Sequence, residues 1–268
     1  ELVQLTKDNL SAHLRTQDQI SIRSKGGVGR KSDQEQVDAR VGLAKANLVA
    51  AEANLRDSEI TFQRIVGSKP AGVTKPTGPD RGLIPKTMDD TIGQAVSNHP
   101  VLKSSQADVE AANQQHNASK SFMYPRFDAE LGYGKNNNLD GRRGDNDERY
   151  AMVRMRYNLF KGGSDMARVS ETRQLTKQAT EVMNRTRRQV EESAGLSWNA
   201  MISATERLPS LREHSDKSSA TADSYAQQFN LGQRTLLDLL DAVNESFTAQ
   251  NDLVNGTYIE LFARYRLL

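Results

Sequence analysis

Arg234, Asp238 and Asp241 are the residues whose types and spacing could do chemistry in this chain. They lie in the run Phe229-Asn230-Leu231-Gly232-Gln233-Arg234-Thr235-Leu236-Leu237-Asp238-Leu239-Leu240-Asp241-Ala242. Carboxylates three apart share one face of a helix. Such a pair can repel anions, attract cations, or pair with a facing arginine. An earlier copy of the run reads Gly29-Arg30-Lys31-Ser32-Asp33-Gln34-Glu35-Gln36-Val37-Asp38-Ala39. Gly29 aligns with Gly232, Ser32 with Thr235, Glu35 with Asp238, Asp38 with Asp241 and Ala39 with Ala242. The repetition predicts a duplicated chain of long helical hairpins whose turns are its working ends. The bland alternative is a solvated helix start, its carboxylates favoured by the helix dipole.

Other chemistries find little support. His13, His99, His116 and His214 are far apart and form no His-Glu-x-x-His pair, so they are expected at the surface and not around a metal. No Gly-x-Ser-x-Gly nucleophile elbow occurs. Gly26-Gly27-Val28-Gly29-Arg30-Lys31-Ser32 lacks the Gly-Lys-Ser core and the preceding strand of a phosphate loop. The expectation is therefore no catalytic residue, no metal, no cofactor and no enzyme activity. With 36 basic and 34 acidic residues the formal charge is +2, which gives no case for nucleic acid.

The composition suits long helices with narrow apolar stripes. The chain has 268 residues, 36% of them hydrophobic and 6% aromatic, and its mean hydropathy is -0.69, lean for a thick globular core. It has no cysteine, which removes disulfides and thiolate chemistry. It has no apolar run of transmembrane-helix length. Glu1 is not a natural start, so a mature product or a fragment is expected.

The elements follow from periodicity. Residues 1–24 read as helix with weak patterning, then Lys25-Gly26-Gly27-Val28-Gly29 breaks it. Ser32 or Asp33 can cap the next helix. Val37, Val41, Ala44, Leu48, Ala51, Leu55, Ser58, Phe62 and Ile65 fall alternately four and three apart, a heptad seam ending at Gly67. A proline- and glycine-rich linker covers 67–87. Thr87 or Asp89 starts another helix, which Asn98-His99-Pro100 interrupts and Tyr124-Pro125 ends. Phe127, Ala129, Leu131 and Tyr133 then alternate with polar or small residues. After a loop predicted over 135–149, Ala151, Val153, Met155, Tyr157 and Leu159 do the same. These two strands fit a soluble hairpin or a membrane-barrel pair, and two strands alone cannot close a barrel. A long helix is predicted over 165–208, kinked or broken at Pro209 and resuming to about Leu231. The last helix carries Leu236, Leu240, Val243, Phe247, Val254, Leu261 and Leu268 as its apolar ladder.

Taken together, these residues resemble the TolC family of outer-membrane channels. The matches are the 229–242 run, Tyr157-Asn158-Leu159-Phe160-Lys161-Gly162-Gly163, Pro100 with Leu102, and Tyr124-Pro125-Arg126-Phe127. The resemblance implies a mainly α fold of antiparallel coiled-coil hairpins, with one β-hairpin contributing to a trimeric outer-membrane β-barrel. In those terms the divisions are 1–66 first-repeat hairpin, 67–87 linker, 88–123 second-repeat helices, 124–163 barrel hairpin and 164–268 second-repeat hairpin. A first strand pair and the initial helices would be absent.

The resemblance also implies roles. Arg234, Asp238 and Asp241 would form the gate and constriction at the periplasmic tip, with Ser32 and Asp33 as partners of the arginine. The family's gate tyrosine falls on Phe229, which has no hydroxyl and cannot make that bond to Asp33. Gly27, Gly29, Leu231, Gly232 and Thr235 would lie where a periplasmic adaptor docks. The implied function is an exit duct in the Gram-negative outer membrane, a homotrimer working with an adaptor and an inner-membrane transporter. Its cargo would be secreted protein (type I secretion) or, alternatively, small toxic compounds. From another class, the alternative is a soluble coiled-coil scaffold or a periplasmic adaptor hairpin; the strand pair speaks against it, and no lipoyl-like β-domain of the kind that flanks adaptor hairpins is seen in this sequence.

Overall fold

A computed structural model describes all residues except Val28, Gly29, Arg81, Leu139, Asp140 and Arg142. It contains α1 (Leu2–Lys25), α2 (Lys31–Val66), α3 (Met88–Asn98), α4 (Pro100–Lys120), a 3-10 turn (Ser121–Met123), β1 (Arg126–Asn137), β2 (Asp145–Arg156), α5 (Ser164–Asn230) and α6 (Leu236–Tyr265). The chain forms two compact units. One holds residues 1–91 and 195–268, the other 92–194. Among the described residues no helix is long and apolar enough to cross a membrane.

The first unit packs α1, α2, α6 and the later part of α5. Its core brings Ile20 of α1, Val37 of α2, Phe229 of α5 and Leu236, Leu239 and Leu240 of α6 into one cluster. The helices approach closely because their buried faces are small. On α6 the buried stripe includes Ala242, Ser246, Ala249 and Ala263, while Val243, Phe247 and Val254 of the predicted ladder are only half-buried. On α1 the buried residues are Thr6, Asn9, His13, Thr16 and Ile20, again alternately three and four apart. That seam is nearly all polar, which hid it from a search for apolar residues. His13 corrects the expectation of surface histidines: it is 3% exposed, and burial, with Arg40 nearby, pushes its pKa below the usual imidazole range.

The heptad seam of α2 is buried only at Val37, Val41 and Ala44. Its later members Leu55, Phe62 and Ile65 lie at the surface of the chain, Ile65 with 69% exposure. Gly67 caps the helix in the left-handed conformation at φ 86°, as its position predicts. The linker is tied down: the Tyr265 hydroxyl donates to the Thr77 carbonyl at 2.7 Å, and Lys75 lies over the Tyr258 ring.

Pro209 does not break the long helix, which runs from Ser164 to Asn230. Proline forfeits one backbone bond, but the flanking Leu208 and Leu211 seat on α6 at Gly256, where a methyl group would run into Leu211. Packing on both sides of the proline outweighs its local cost.

The second unit holds α4, the β-hairpin and the start of α5. Thr172 of α5 is fully buried and meets His116 and Ser119 of α4, both at 3.0 Å. In the hairpin the register runs from Arg126↔Arg156 to Asn137↔Asp145. The strands therefore extend well into the loop predicted over 135–149, because backbone pairing continues where apolar alternation has ceased. Tyr157 and Leu159 fall beyond the end of β2. One sheet face carries Phe127, Ala129, Leu131, Ala151, Val153 and Met155, with Leu131 at 86% and Val153 at 76% exposure. The opposite face carries an ion network: Asp128 with Arg126 at 2.8 Å and Arg156 at 3.7 Å, and Glu130 with Arg154 at 3.1 Å and Arg156 at 3.8 Å. Tyr150 lies across Gly132, leaving no room there for a Cβ.

Two outcomes follow for stability, both read as melting of the full-length protein. Pro209→Ala should stabilise by up to about 3 kcal/mol, since it restores a helix bond in a segment that is already continuous helix. Gly132→Ala should destabilise by about 1–3 kcal/mol through overpacking against Tyr150. Adding Tyr150→Ala should relieve most of that loss; a double variant as weak as the single one would show that the ring is not the cause.

Candidate functional site

The two turns named by the sequence repeat are built differently. The later one leaves α5 through a paired backbone closure. Gly232 N donates to the Phe229 carbonyl at 3.0 Å and Gln233 N to the Gln228 carbonyl at 2.8 Å, with Gly232 at φ 76°. This is a Schellman closure, which needs a residue tolerant of left-handed geometry at the glycine. Two residues on, Thr235 caps α6. The Asp238 amide donates to Thr235 Oγ1 at 3.2 Å, and Asp238 Oδ2 accepts from the Thr235 amide at 3.3 Å and hydroxyl at 2.8 Å. That reciprocal box satisfies orphan donors of the first helical turn.

The earlier turn has no such box. Arg30 is the N-cap of α2 and makes no side-chain cap bond. Ser32 and Asp33, predicted as caps, therefore lie inside the first turn. There Ser32 Oγ donates to Asp33 Oδ1 at 3.4 Å, and Asp33 complements the positive end of the helix. Gly27 is left-handed at φ 78°. Gly29 lies outside the described residues.

The candidate gate residues each have a partner within the chain. The Arg234 guanidinium sits 4.1 Å from the Tyr225 ring centroid, and its Nε donates to Gln228 Oε1 at 2.9 Å. Its hydrogen bond thus turns back to α5 and not to Ser32 or Asp33. The Thr235 hydroxyl and amide hold the Asp238 carboxyl below the usual carboxylate range, with Arg234 adding to the effect. Asp238 therefore stays charged, and its cap is lost only as pH falls through that lowered value. Asp241 pairs with Arg40 of α2 at 3.0 Å. In the repeat, its counterpart Asp38 accepts from Gln17 at 2.6 Å and Gln34 at 2.9 Å. Phe229 is 4% exposed and belongs to the core. Leu231 is exposed, as is Thr235 outside its cap bonds.

Sequence reasoning missed Arg40 and Arg23. Arg40 lies one residue beyond the repeat, where nothing in its spacing marks it. Arg23 sits on the last turn of α1 and reaches Phe229. Its guanidinium is 4.7 Å from that ring, and its Nη2 donates to the Phe229 carbonyl at 3.4 Å.

Known proteins match this fold and order of elements. The chain is 24% identical over its whole length to the outer membrane efflux protein BepC of Brucella suis, and spans 59% of that protein. Among solved structures it is similar to the outer membrane protein VceC of Vibrio cholerae (TM-score 0.80, 18% identity, 98% of this chain and 64% of that one). It is equally similar to the outer-membrane channel OprN (TM-score 0.80, 20% identity, 99% of this chain and 60% of that one). Residues 91–267 match the outer membrane efflux protein family, and with well over half the chain inside that match, the chain belongs to this family of outer-membrane channel components.

Proposed function

We propose that the chain is the greater part of a passive exit duct of a tripartite export system, without catalysis. Three copies would place their helices in the periplasm and share an outer-membrane β-barrel, with an adaptor and an inner-membrane transporter supplying energy. The observation that carries this reading is the two-faced β-hairpin. One face is bare and apolar, the other holds the Asp128–Glu130–arginine network. Lipid outside and water inside is the setting that rewards such alternation. The exposed later seam of α2, at Leu55, Phe62 and Ile65, offers neighbouring copies an apolar stripe.

At the tip, Asp238 and Asp241 of three copies would meet in a narrow ring that attracts cations and repels anions. The capping box fixes the Asp238 carboxylate on Thr235 and keeps it charged. Arg40 partly neutralises Asp241, so the two carboxylates are not equivalent. Ser32 and Asp33 would serve as partners of Arg234 across a copy-to-copy boundary, in exchange for its bond to Gln228. The turns at Gly27, Gly29, Leu231, Gly232 and Thr235 would receive the adaptor. For the cargo, the name of the Brucella relative, an efflux protein, favours the efflux alternative, while type I secretion rests on the family resemblance.

In planar bilayers, Arg234→Ser with Asp238→Ala in the full-length protein should raise single-channel conductance, and unchanged conductance would count against the gate. Arg40→Ala should raise the cation-to-anion permeability ratio by leaving Asp241 unpaired. Adding Asp241→Ala should bring the ratio to the wild-type value or below; a ratio indifferent to both changes would remove Asp241 from the pore.

A further inference from the structure

The last turns of α5 are held by two cations that come from different elements. Arg234 folds back from the turn onto Tyr225 and Gln228. Arg23 reaches over from α1, stacks on Phe229 and donates to its carbonyl. The C-terminal ends of α1 and α5 therefore lie together at the tip, and each carries the partial negative charge of a helix C-terminus. Two such ends repel each other, and a guanidinium placed at both relieves the repulsion. The Phe229 ring is buried, so its face is available to the cation in a setting of low dielectric. Arg23 itself is half-buried.

We propose that Arg23 is a positioning residue for the gate: by clamping α1 onto the last turn of α5 through Phe229, it holds the 231–235 turn, with Arg234 and Asp238, in the closed position. This rests on the gate reading above. The arrangement also accounts for phenylalanine at 229. A hydroxyl is dispensable where a guanidinium from the other hairpin supplies the link, and the interaction it makes is with the ring face and the backbone. Opening the tip means withdrawing Phe229 from Arg23, a contact internal to each copy and so independent of the neighbours.

The test is a double-variant cycle in the full-length protein, reading open and closed dwell times of single channels in planar bilayers. Arg23→Ala should shift the open-to-closed ratio about fivefold toward open, the factor a single partly desolvated stacked cation sets. Phe229→Leu, which keeps an apolar core residue, should shift it similarly. The double variant should open no more than either single one, and Arg23→Lys should retain most of the closed state. Effects that multiply in the double variant would overturn the link between the two residues. Arg23→Ala with an unchanged ratio, alongside an Arg234→Ser/Asp238→Ala channel of raised conductance, would overturn the proposal while leaving the gate standing. No change in that reference channel would remove the gate and the clamp together. Trimer melting of each variant separates a shifted gate from a failed fold, and if Arg23→Ala does not assemble, Phe229→Leu and Arg23→Lys decide: a wild-type ratio in Phe229→Leu rejects the clamp.

Discussion

The tip of the first unit depends on one small cluster: Ile20, Val37, Phe229, Leu236, Leu239 and Leu240. These six side chains come from four helices, and they are what keeps two independent hairpin turns in one place. Leu240 and Val37 are almost wholly removed from water. Elsewhere in this unit many of the buried side chains are alanine, serine, threonine and asparagine, with larger apolar contacts only at places such as Val41, Met201 and Leu211. The small side chains permit close approach but bury little apolar surface, so the tip cluster supplies a disproportionate share of the hydrophobic attraction.

Charge is arranged around that cluster by helix direction. At the same end, α1 and α5 finish while α2 and α6 begin, so negative and positive helix ends alternate. Arg23 and Arg234 attend the finishing ends, and Asp33 and Asp238 attend the starting ones. Arg40 and Asp241 tie the two starting helices together. None of these exposed or half-exposed contacts is strong alone, about 1 kcal/mol or less for an exposed ion pair. A closure made of several weak contacts over a small core can hold at rest and still yield to a partner that binds the open form more tightly. In the proposed three-fold assembly each contact would be multiplied, which would make the proposed opening steep without making any single bond strong.

Much of this was legible in the sequence, for definite reasons. The glycines at 67 and 232 announced helix ends because few other residues adopt their backbone geometry. The alternation from Phe127 to Tyr133 announced a two-faced strand. What stayed hidden was hidden physically. The buried seam of α1 is polar, so Thr6, Asn9, His13 and Thr16 carry no hydrophobic signal. Pro209 reads as a breaker until Gly256 is seen beneath its neighbours. The repeat aligns Ser32 with Thr235, yet α2 starts earlier than α6 relative to that alignment, so one hydroxyl residue caps its helix and the other sits inside its own. Arg23 and Arg40 act across hairpins, and no local spacing encodes a partner on another hairpin.

The central claim is that copies of this chain bring their tips together, with the Asp241 positions sharing one narrow ring. These 268 residues contain no cysteine, so an Asp241→Cys substitution gives a clean probe for it in the assembled full-length protein once any cysteine outside them is replaced. Treatment with a short bis-maleimide should join separate chains and sharply reduce channel current. Chains that remain monomeric on a denaturing gel after complete labelling, with current unaffected, would contradict it.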